Sequence, residues 1–400
     1  MEKSDAFMFD NLDTLPEDPL LGLTQAYRND PREEKIDLGV GVFKTPDGTT
    51  PIMRAVKEAE RRLTATQQTK VYAPPVSVPG YIDHLSALVF GDAPASDASC
   101  RIGVQAPGGC GALRLGAELL ARRGAQRVLV GAPTWANHIP LMEAAGLRVE
   151  QEPFYNKASG TQETGDFLTA VEQLGPEDCL LLHGACHNPT GADLSSDDAN
   201  AILDLAQRRG FLVFIDVAYH GFAQDLEADM AMVRQFAAGL PELMISYSCS
   251  KNFGLYRERT GAIFVQGQSE RVAMAAQSHL INIARGSYSM PPAHGASIVA
   301  EILQADDLRK DWRDELSTMA QTVREKRVML VAAARETALG EALDFVAQQN
   351  GMFSLIPVSK EQVSVLREDF GIYMAGSGRI NLCGLTEANV GQFVQALAAV

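Results

Sequence analysis

The segment Ser248-Cys249-Ser250-Lys251-Asn252-Phe253-Gly254, with Arg259 shortly after it, narrows what this chain can be more than any other. Just before it, Leu243-Met244-Ile245-Ser246-Tyr247 reads as a short buried strand. Small hydroxyl residues end that strand, and Gly254 permits a turn. A lysine at such a strand end can point into a pocket. Arg259 offers a planar fork of donors and Ser248 a hydroxyl, a pairing that suits a phosphate. An isolated lysine after an edge strand is ordinarily solvated, so the weight of this feature depends on the rest of the chain.

Helix and strand signals alternate from about residue 100 to 265. Residues 101–105 read as a strand, 106–111 as a tight loop, and 112–123 as a helix stopped by Gly124. Residues 127–130, 147–150 and 179–183 read as further strands. Residues 195–209 make a helix, with Ser195 and Asp198 spaced as in a capping box and Gly210 as the stop. The strand at 211–215 is apolar on both faces. Apolar strands between helices predict a parallel sheet covered on both sides. Ligands of such sheets sit at the carboxyl ends of the strands. Asp216 and Lys251 fall at such ends, and the Gly108-Gly109 loop follows a third.

After Pro291-Pro292 one long helical stretch is expected to about residue 335. A smaller α+β unit follows, in which Gly376-Ser377-Gly378 leads into a strand at Arg379. The first ~45 residues look irregular, with turn chemistry at Asp18-Pro19, Asp30-Pro31 and Pro46-Asp47-Gly48. The expected class is α/β, a mostly parallel central sheet under helices plus a smaller α+β domain. The expected division is an N-terminal segment at 1–45, a large domain at 46–310 and a small domain at 311–400.

Composition removes several classes of function. A net charge of −15 opposes nucleic-acid binding, which needs a basic face. The six cysteines include no C-x-x-C pair, so no structural metal site is expected, and their scatter fits reduced cytoplasmic thiols. No apolar run approaches the ~20 residues of a membrane span. The N-terminus shows no signal pattern.

Four further motifs bear on chemistry. The strand–glycine–helix junction at Gly109-Cys110-Gly111 is a phosphate cradle, with free N–H groups and a helix dipole. It is not a dinucleotide fingerprint. Arg114 stands where the third glycine belongs, and Glu143 is too distant to be the acidic partner. Asp216, ending an apolar strand, needs a cationic partner. A protonated pyridine nitrogen supplies one, which points to pyridoxal phosphate bound at Lys251 as a Schiff base; a helix N-cap is the commoner role for such an aspartate. Tyr219 and Asn188, the latter in His187-Asn188-Pro189-Thr190-Gly191, can reach a cofactor oxygen. Trp135 can stack on a flat ring, and His138 can hold the Asp216 carboxylate. Arg285 and Arg379, each among small residues, suit the capture of two carboxylates. Adjacent Cys186 and His187 carry little weight as a thiol-protease pair, because sequence neighbours rarely face each other.

Together these segments resemble the class I aminotransferases of the pyridoxal-phosphate fold-type I superfamily, in particular bacterial aspartate and aromatic (tyrosine) aminotransferases. The resemblance is nearly end to end. It includes Asp18-Pro19-Leu20-Leu21-Gly22-Leu23, Leu38-Gly39-Val40-Gly41-Val42-Phe43-Lys44, Pro291-Pro292-Ala293-His294-Gly295-Ala296 and Gly351-Met352-Phe353-Ser354. It implies that Lys251 is the Schiff-base lysine and proton shuttle, and Asp216 the pyridinium partner with His138 behind it. Asn188 and Tyr219 would ligate the ring oxygen, and Trp135 would stack on the ring. Gly109, Cys110, Ser248 and Arg259 would form the phosphate cup. Arg379 would bind the α-carboxylate, Gly41, Trp135 and Asn188 would also meet the substrate, and Tyr219 would join Lys251 and Asp216 as a catalytic residue. Tyr72 and Arg285 would act across a homodimer, on the neighbour's phosphate and on the distal carboxylate. The family usually has Thr or Ser where Cys110 stands, and Ala73-Pro74-Pro75 after Tyr72 is unusual. The implied activity is transfer of an amino group from aspartate or aromatic amino acids to 2-oxoglutarate by a ping-pong route. A β-lyase or decarboxylase is the alternative within the same cofactor class. A non-catalytic ligand-binding module of a transcription regulator is opposed by the acidity and by the short stretch ahead of Asp18.

Overall fold

The computed structural model describes residues 9–10, 12–15, 19–45, 47–91 and 98–400. Seven strands build the central sheet: β1 (Arg101–Pro107), β2 (Arg127–Ala132), β3 (Arg148–Pro153), β4 (Asp178–His183), β5 (Leu212–Val217), β6 (Leu243–Ser248) and β7 (Thr260–Gln266). Their order is β1-β7-β6-β5-β4-β2-β3. The pairs β3/β2, β2/β4, β4/β5 and β5/β6 are parallel. Strand β7 runs antiparallel to both β6 and β1. It therefore starts at the rim where its neighbours end. β6 and β7 are buried along their whole length, as mainly apolar strands between two helical layers.

Six helices matter to the argument: α1 (Pro19–Asn29), α2 (Gly108–Arg122), α3 (Ser196–Arg209), α4 (Glu270–Ser287), α5 (Ala293–Gln304) and α6 (Asp306–Arg335). Four of them, α1, α2, α5 and α6, depart from the sequence reading. Residues 19–29, read as irregular, are helical. The expected loop at 106–111 does not exist as such. Pairing with Thr260 carries β1 through Pro107, and α2 starts at once because Gly108 turns the chain at φ +74°. The single stretch at 293–335 is two helices, broken where Ala305 is extended. The expected turns at Asp18 and Pro46 involve residues outside those described. In α3 the Ser195 hydroxyl accepts from the Asp198 N–H at 3.1 Å and donates to its carboxylate at 2.6 Å. Aspartate is too short to reach back to the cap N–H, so the box is half-formed.

A second hydrophobic cluster lies toward the C-terminus. Leu330, Val331 and Ala334 of α6 join it with Ile36, Leu38, Ile372 and Ile380, whereas Leu308, Trp312 and Leu316 of the same helix pack with the main sheet's helices. One helix thus spans two cores. Beside the second core, β8 (Phe353–Leu355) pairs antiparallel with β9 (Arg379–Asn381). Ile36–Asp37 pairs in parallel with Ile372–Tyr373, tying the early chain to this unit.

Trp312 pins α6 to the segment after Lys251. Its ring stacks on Phe253 with centroids 4.5 Å apart, and its Nε1–H donates to the Asn252 carbonyl at 2.7 Å. Both rings are fully buried. Trp312→Ala should cost about 3–5 kcal/mol of stability. Trp312→Phe should cost distinctly less, since the stack survives. Urea unfolding midpoints of the two variants check this order.

Candidate active site

Five strand ends meet at one rim of the sheet. β1 delivers Gly109 and Cys110, β2 delivers Trp135 and His138, β4 leads to Asn188, β5 to Asp216 and Tyr219, and β6 to Ser248 and Lys251. Arg259 precedes β7 and arrives at the same rim because that strand is reversed. These residues, apart from His138 behind Asp216, line one cavity of about 260 Å³, closed on another side by Gly41, Phe353 and Arg379.

Asp216 is buried, and its surroundings keep it charged. His138 Nε2 lies 3.1 Å from Oδ2, and the Ser246 hydroxyl donates to Oδ1. A carboxylate only accepts, so His138 donates from Nε2. Thr134 Oγ1 sits 2.8 Å from the other ring nitrogen of His138 and 3.1 Å from His183 Nε2. Burial pushes the Asp216 carboxyl up, but the His138 hydrogen bond, the two imidazoles and Ser246 outweigh it and hold it below the usual carboxylate range. Burial, with His138 next, pushes His183 down to about 3, so it stays neutral.

The Lys251 ammonium lies 4.9 Å from the centre of the Tyr219 ring and makes no ion pair among the described residues. Desolvation lowers its pKa, against the pull of Asp216. Burial raises the pKa of Tyr219, so its phenol keeps its proton. The Asn188 amide donates to the Tyr219 oxygen at 3.4 Å, and Arg379 Nη1 donates to Asn188 Oδ1 at 3.3 Å. Arg379 also donates to the Gly39 carbonyl at 2.8 Å and stacks on Phe353 at 4.4 Å. Its Nε is buried with no partner.

The other end of the cavity is built for an anion. No side chain caps α2, so its first N–H groups are free. Arg259 adopts φ +53°, rare for a non-glycine residue, and its guanidinium is held by the Tyr256 carbonyl at 2.9 Å. A side chain at Gly108 would meet that guanidinium at 2.5 Å. Ser248 lies alongside Gly109, 3.1 Å from where a Cβ would stand. Cys110 accepts a long contact, 3.6 Å, from the Asn137 amide. These features fit pyridoxal phosphate: an uncapped helix start with Arg259 for its phosphate, Asp216 for its ring nitrogen, and an unpaired lysine for its aldehyde.

Two expected residues do not join the cavity within one chain. Tyr72 is 86% exposed. Arg285, at the exposed end of α4, donates to the Ser289 hydroxyl. Four residues that sequence reading missed do contribute: Ser246, Thr134, His183 and Phe353. Ser246 and Ser248 are hydroxyls two apart in an apolar strand, a shared face that the sequence displayed. His183 is paired directly with Asp216 across β4 and β5, which only the register reveals. Among the described residues no group of three or more His, Cys, Asp or Glu side chains could hold a metal ion.

A family profile described as aminotransferase class I and II matches residues 33–397. The chain belongs to that family. It is 44% identical to the tyrosine aminotransferase of Rhizobium meliloti (strain 1021), over 96% of this chain and 98% of the relative. It is 39% identical to the aspartate aminotransferase of Escherichia coli (strain K12), over 98% of this chain and all of the relative. Among solved structures, an aromatic-amino-acid aminotransferase from Burkholderia pseudomallei covalently bound to pyridoxal phosphate superposes with a TM-score of 0.95 at 35% identity, covering 98% of this chain and 99% of that one. The protein is a pyridoxal-phosphate-dependent transaminase of the fold-type I architecture.

Asp216→Ala should lower transaminase activity by about 10²–10³-fold, the usual cost of removing a preorganised electrostatic partner. Ser246→Ala, which removes one of two donors to that carboxylate, should cost only about tenfold. Steady-state rates with far-ultraviolet circular dichroism check both. Full activity in the alanine variant at 216 would remove the electrostatic role.

Proposed function

We propose that this transaminase moves amino groups between aspartate or aromatic amino acids and 2-oxoglutarate, in two half-reactions at one site. The observation that carries the proposal is the single cavity joining Lys251, an ionised Asp216 and two separated arginines, Arg259 and Arg379. Pyridoxal phosphate, when bound, supplies an electron-accepting ring that stabilises negative charge at the substrate α-carbon.

The chain's residues divide the remaining work. Lys251 holds the cofactor covalently and, once released, its neutral Nζ takes and returns the α-proton; its lowered pKa favours that neutral form. Asp216 keeps the ring nitrogen protonated, oriented by His138 and Ser246. Tyr219 and Asn188 would donate to the ring oxygen, and Trp135, which lines the same cavity, would stack on the ring. Gly109, Cys110, Ser248 and Arg259 hold the phosphate. Arg379 binds the α-carboxylate beside Gly41. Its buried Nε and stacked guanidinium favour a planar, bidentate partner.

A homodimer completes the site in this reading. The exposed side chains of Tyr72 and Arg285 are free to reach a neighbour's cavity. The relatives' names span both tyrosine and aspartate, which supports a site that accepts both classes. We assign residues 46–310 to a large domain, 311–400 to a small one, with the first turns of α6 (Trp312, Leu316) still packed on the large domain's core, and 1–45 to a segment packing with the small domain. We take the protein to act in the cytoplasm; no helix among the described residues is long and apolar enough to cross a membrane.

Borohydride should fix the cofactor to the peptide containing Lys251. Lys251→Ala should bind cofactor without that link and turn over ~10²-fold or more slowly. Near wild-type turnover in this variant would overturn the assignment. Comparing kcat/KM for aspartate, phenylalanine and tyrosine with 2-oxoglutarate as acceptor tests the substrate range; activity on only one class would contradict it.

Cys110 gives a separate expectation. A thiol is a weak donor, so the uncapped N–H groups of α2 carry that corner of the phosphate site. Cys110→Ser should retain cofactor on dialysis at least as well as the wild type, read from the cofactor absorbance. Clear loss of cofactor would show that the thiol matters.

A further inference from the structure

Phe353 and Arg379 sit on β8 and β9, a pair of three-residue strands. An isolated two-stranded ribbon of this length is not stable in water. Something must hold its open end, or the guanidinium that meets the substrate carboxylate would wander.

That anchor comes from a separate hairpin just beyond β3, the edge strand of the main sheet. After β3, Tyr155–Asn156 pairs with Thr161–Gln162 in a short hairpin. Asn156 ties its own turn, accepting from the Ala158 N–H at 2.9 Å and the Ser159 N–H at 3.3 Å. The turn aims Lys157 outward. Its Nζ donates to the Val358 carbonyl at 2.7 Å and to the Ser377 carbonyl at 2.7 Å. Val358 follows β8 and Ser377 precedes β9, so one ammonium bridges both strands where they diverge. The bridge is close-fitting. Gly378, at φ +90°, has Lys157 Nζ 3.0 Å and the Ile356 carbonyl 2.5 Å from where a Cβ would stand. The Gly378 carbonyl in turn accepts from the Ile356 N–H at 2.9 Å, and Arg379 N–H contacts the Ser377 hydroxyl at 3.4 Å.

We propose that Lys157 is a positioning residue for substrate binding: it clamps the open end of the β8/β9 ribbon to the hairpin beyond β3 and thereby sets where the Arg379 guanidinium meets the substrate's α-carboxylate. The inference rests on the transaminase reading for the role of Arg379. Lys157 itself need not touch substrate. Its two acceptors are neutral carbonyls, so no ion pair competes for it, and the clamp depends on the ammonium's ability to donate twice. Because every amino-acid substrate carries an α-carboxylate, the effect of losing the clamp must be the same for all of them.

The test compares Lys157→Met with Lys157→Arg. In the methionine variant KM should rise about tenfold for aspartate and phenylalanine alike, with kcat within a few-fold of wild type, because a displaced guanidinium loses part, not all, of its hold on the carboxylate. Cofactor retention should stay unchanged, and the melting temperature should fall by no more than a few degrees. Arginine, which can also donate to two carbonyls, should restore most of the affinity. A binding titration with 3-indolepropionic acid, a carboxylate that cannot be transaminated, should weaken by a similar factor. That titration needs no turnover, so it judges the clamp even if the proposed substrates are wrong. Unchanged KM and unchanged titration in Lys157→Met would overturn the proposal. So would a loss confined to one substrate class, or one that arginine fails to restore.

Discussion

A carboxylate buried at the end of an apolar strand is the constraint around which this molecule is arranged. Asp216 keeps its charge only because donors converge on it, and those donors come from different strands: His138 from beyond β2, Ser246 from within β6. Neither is near Asp216 in sequence. The parallel pairings of β2 with β4, β4 with β5 and β5 with β6 bring them to the same rim of the sheet. Removing a partner would leave a buried charge uncompensated, which is far costlier than losing a surface ion pair. The imidazole and hydroxyl chain through Thr134 to His183 extends the same logic one layer back. It satisfies polar groups that the apolar layers around them could not.

The site has two walls of different origin. One is the sheet rim, rigid because its strands are buried on both faces. The other is the small ribbon of β8 and β9, which owes its rigidity to cations placed against backbone carbonyls. Lys157 is one. Arg327 of α6 is another: fully buried, it donates to the carbonyls of Val346, Asn350, Gly351 and Phe353. Burial pushes its pKa down to about 10, still high enough to keep it charged. It therefore fixes the segment leading into β8 without any carboxylate partner. The cavity between the two walls inherits an asymmetry. The cofactor end is lined by immovable strand ends, and the substrate end by a unit that depends on a few long side chains.

Much of this was legible in the residue order. The apolar strands 179–183, 211–215 and 243–247 and the glycines at the helix start announce a parallel sheet with an anion site at its rim. Asp216, Lys251, Asn188, Arg259 and Arg379 stand out because charged or amide side chains at strand ends or in small-residue loops require partners, and Tyr219 because its hydroxyl follows Asp216 by three residues. Less was legible where pattern and outcome diverge. Residues 19–29 are bounded by Asp18-Pro19 and Asp30-Pro31, dipeptides that serve equally as turn signals and as helix start and stop signals, so their helix was read as irregular chain. The break at Ala305 was passed over because alanine favours helix, although Asp306 and Asp307 in the first turn of α6 mark a new start.

What the residue order determined alone is the chemistry available: an amine, a carboxylate, an uncapped helix start and arginines, at positions set by the alternation of strand and helix. Each depends on interactions within a few residues, or on burial patterns with short periods, and these are written locally. What tertiary structure alone decided is which groups face each other. The register that sets His183 beside Asp216, the reversal of β7 that brings Arg259 to the rim, and the reach of Lys157 to two carbonyls some 200 residues away are all long-range pairings. No local pattern encodes them, because they are chosen by the free energy of closing the whole core.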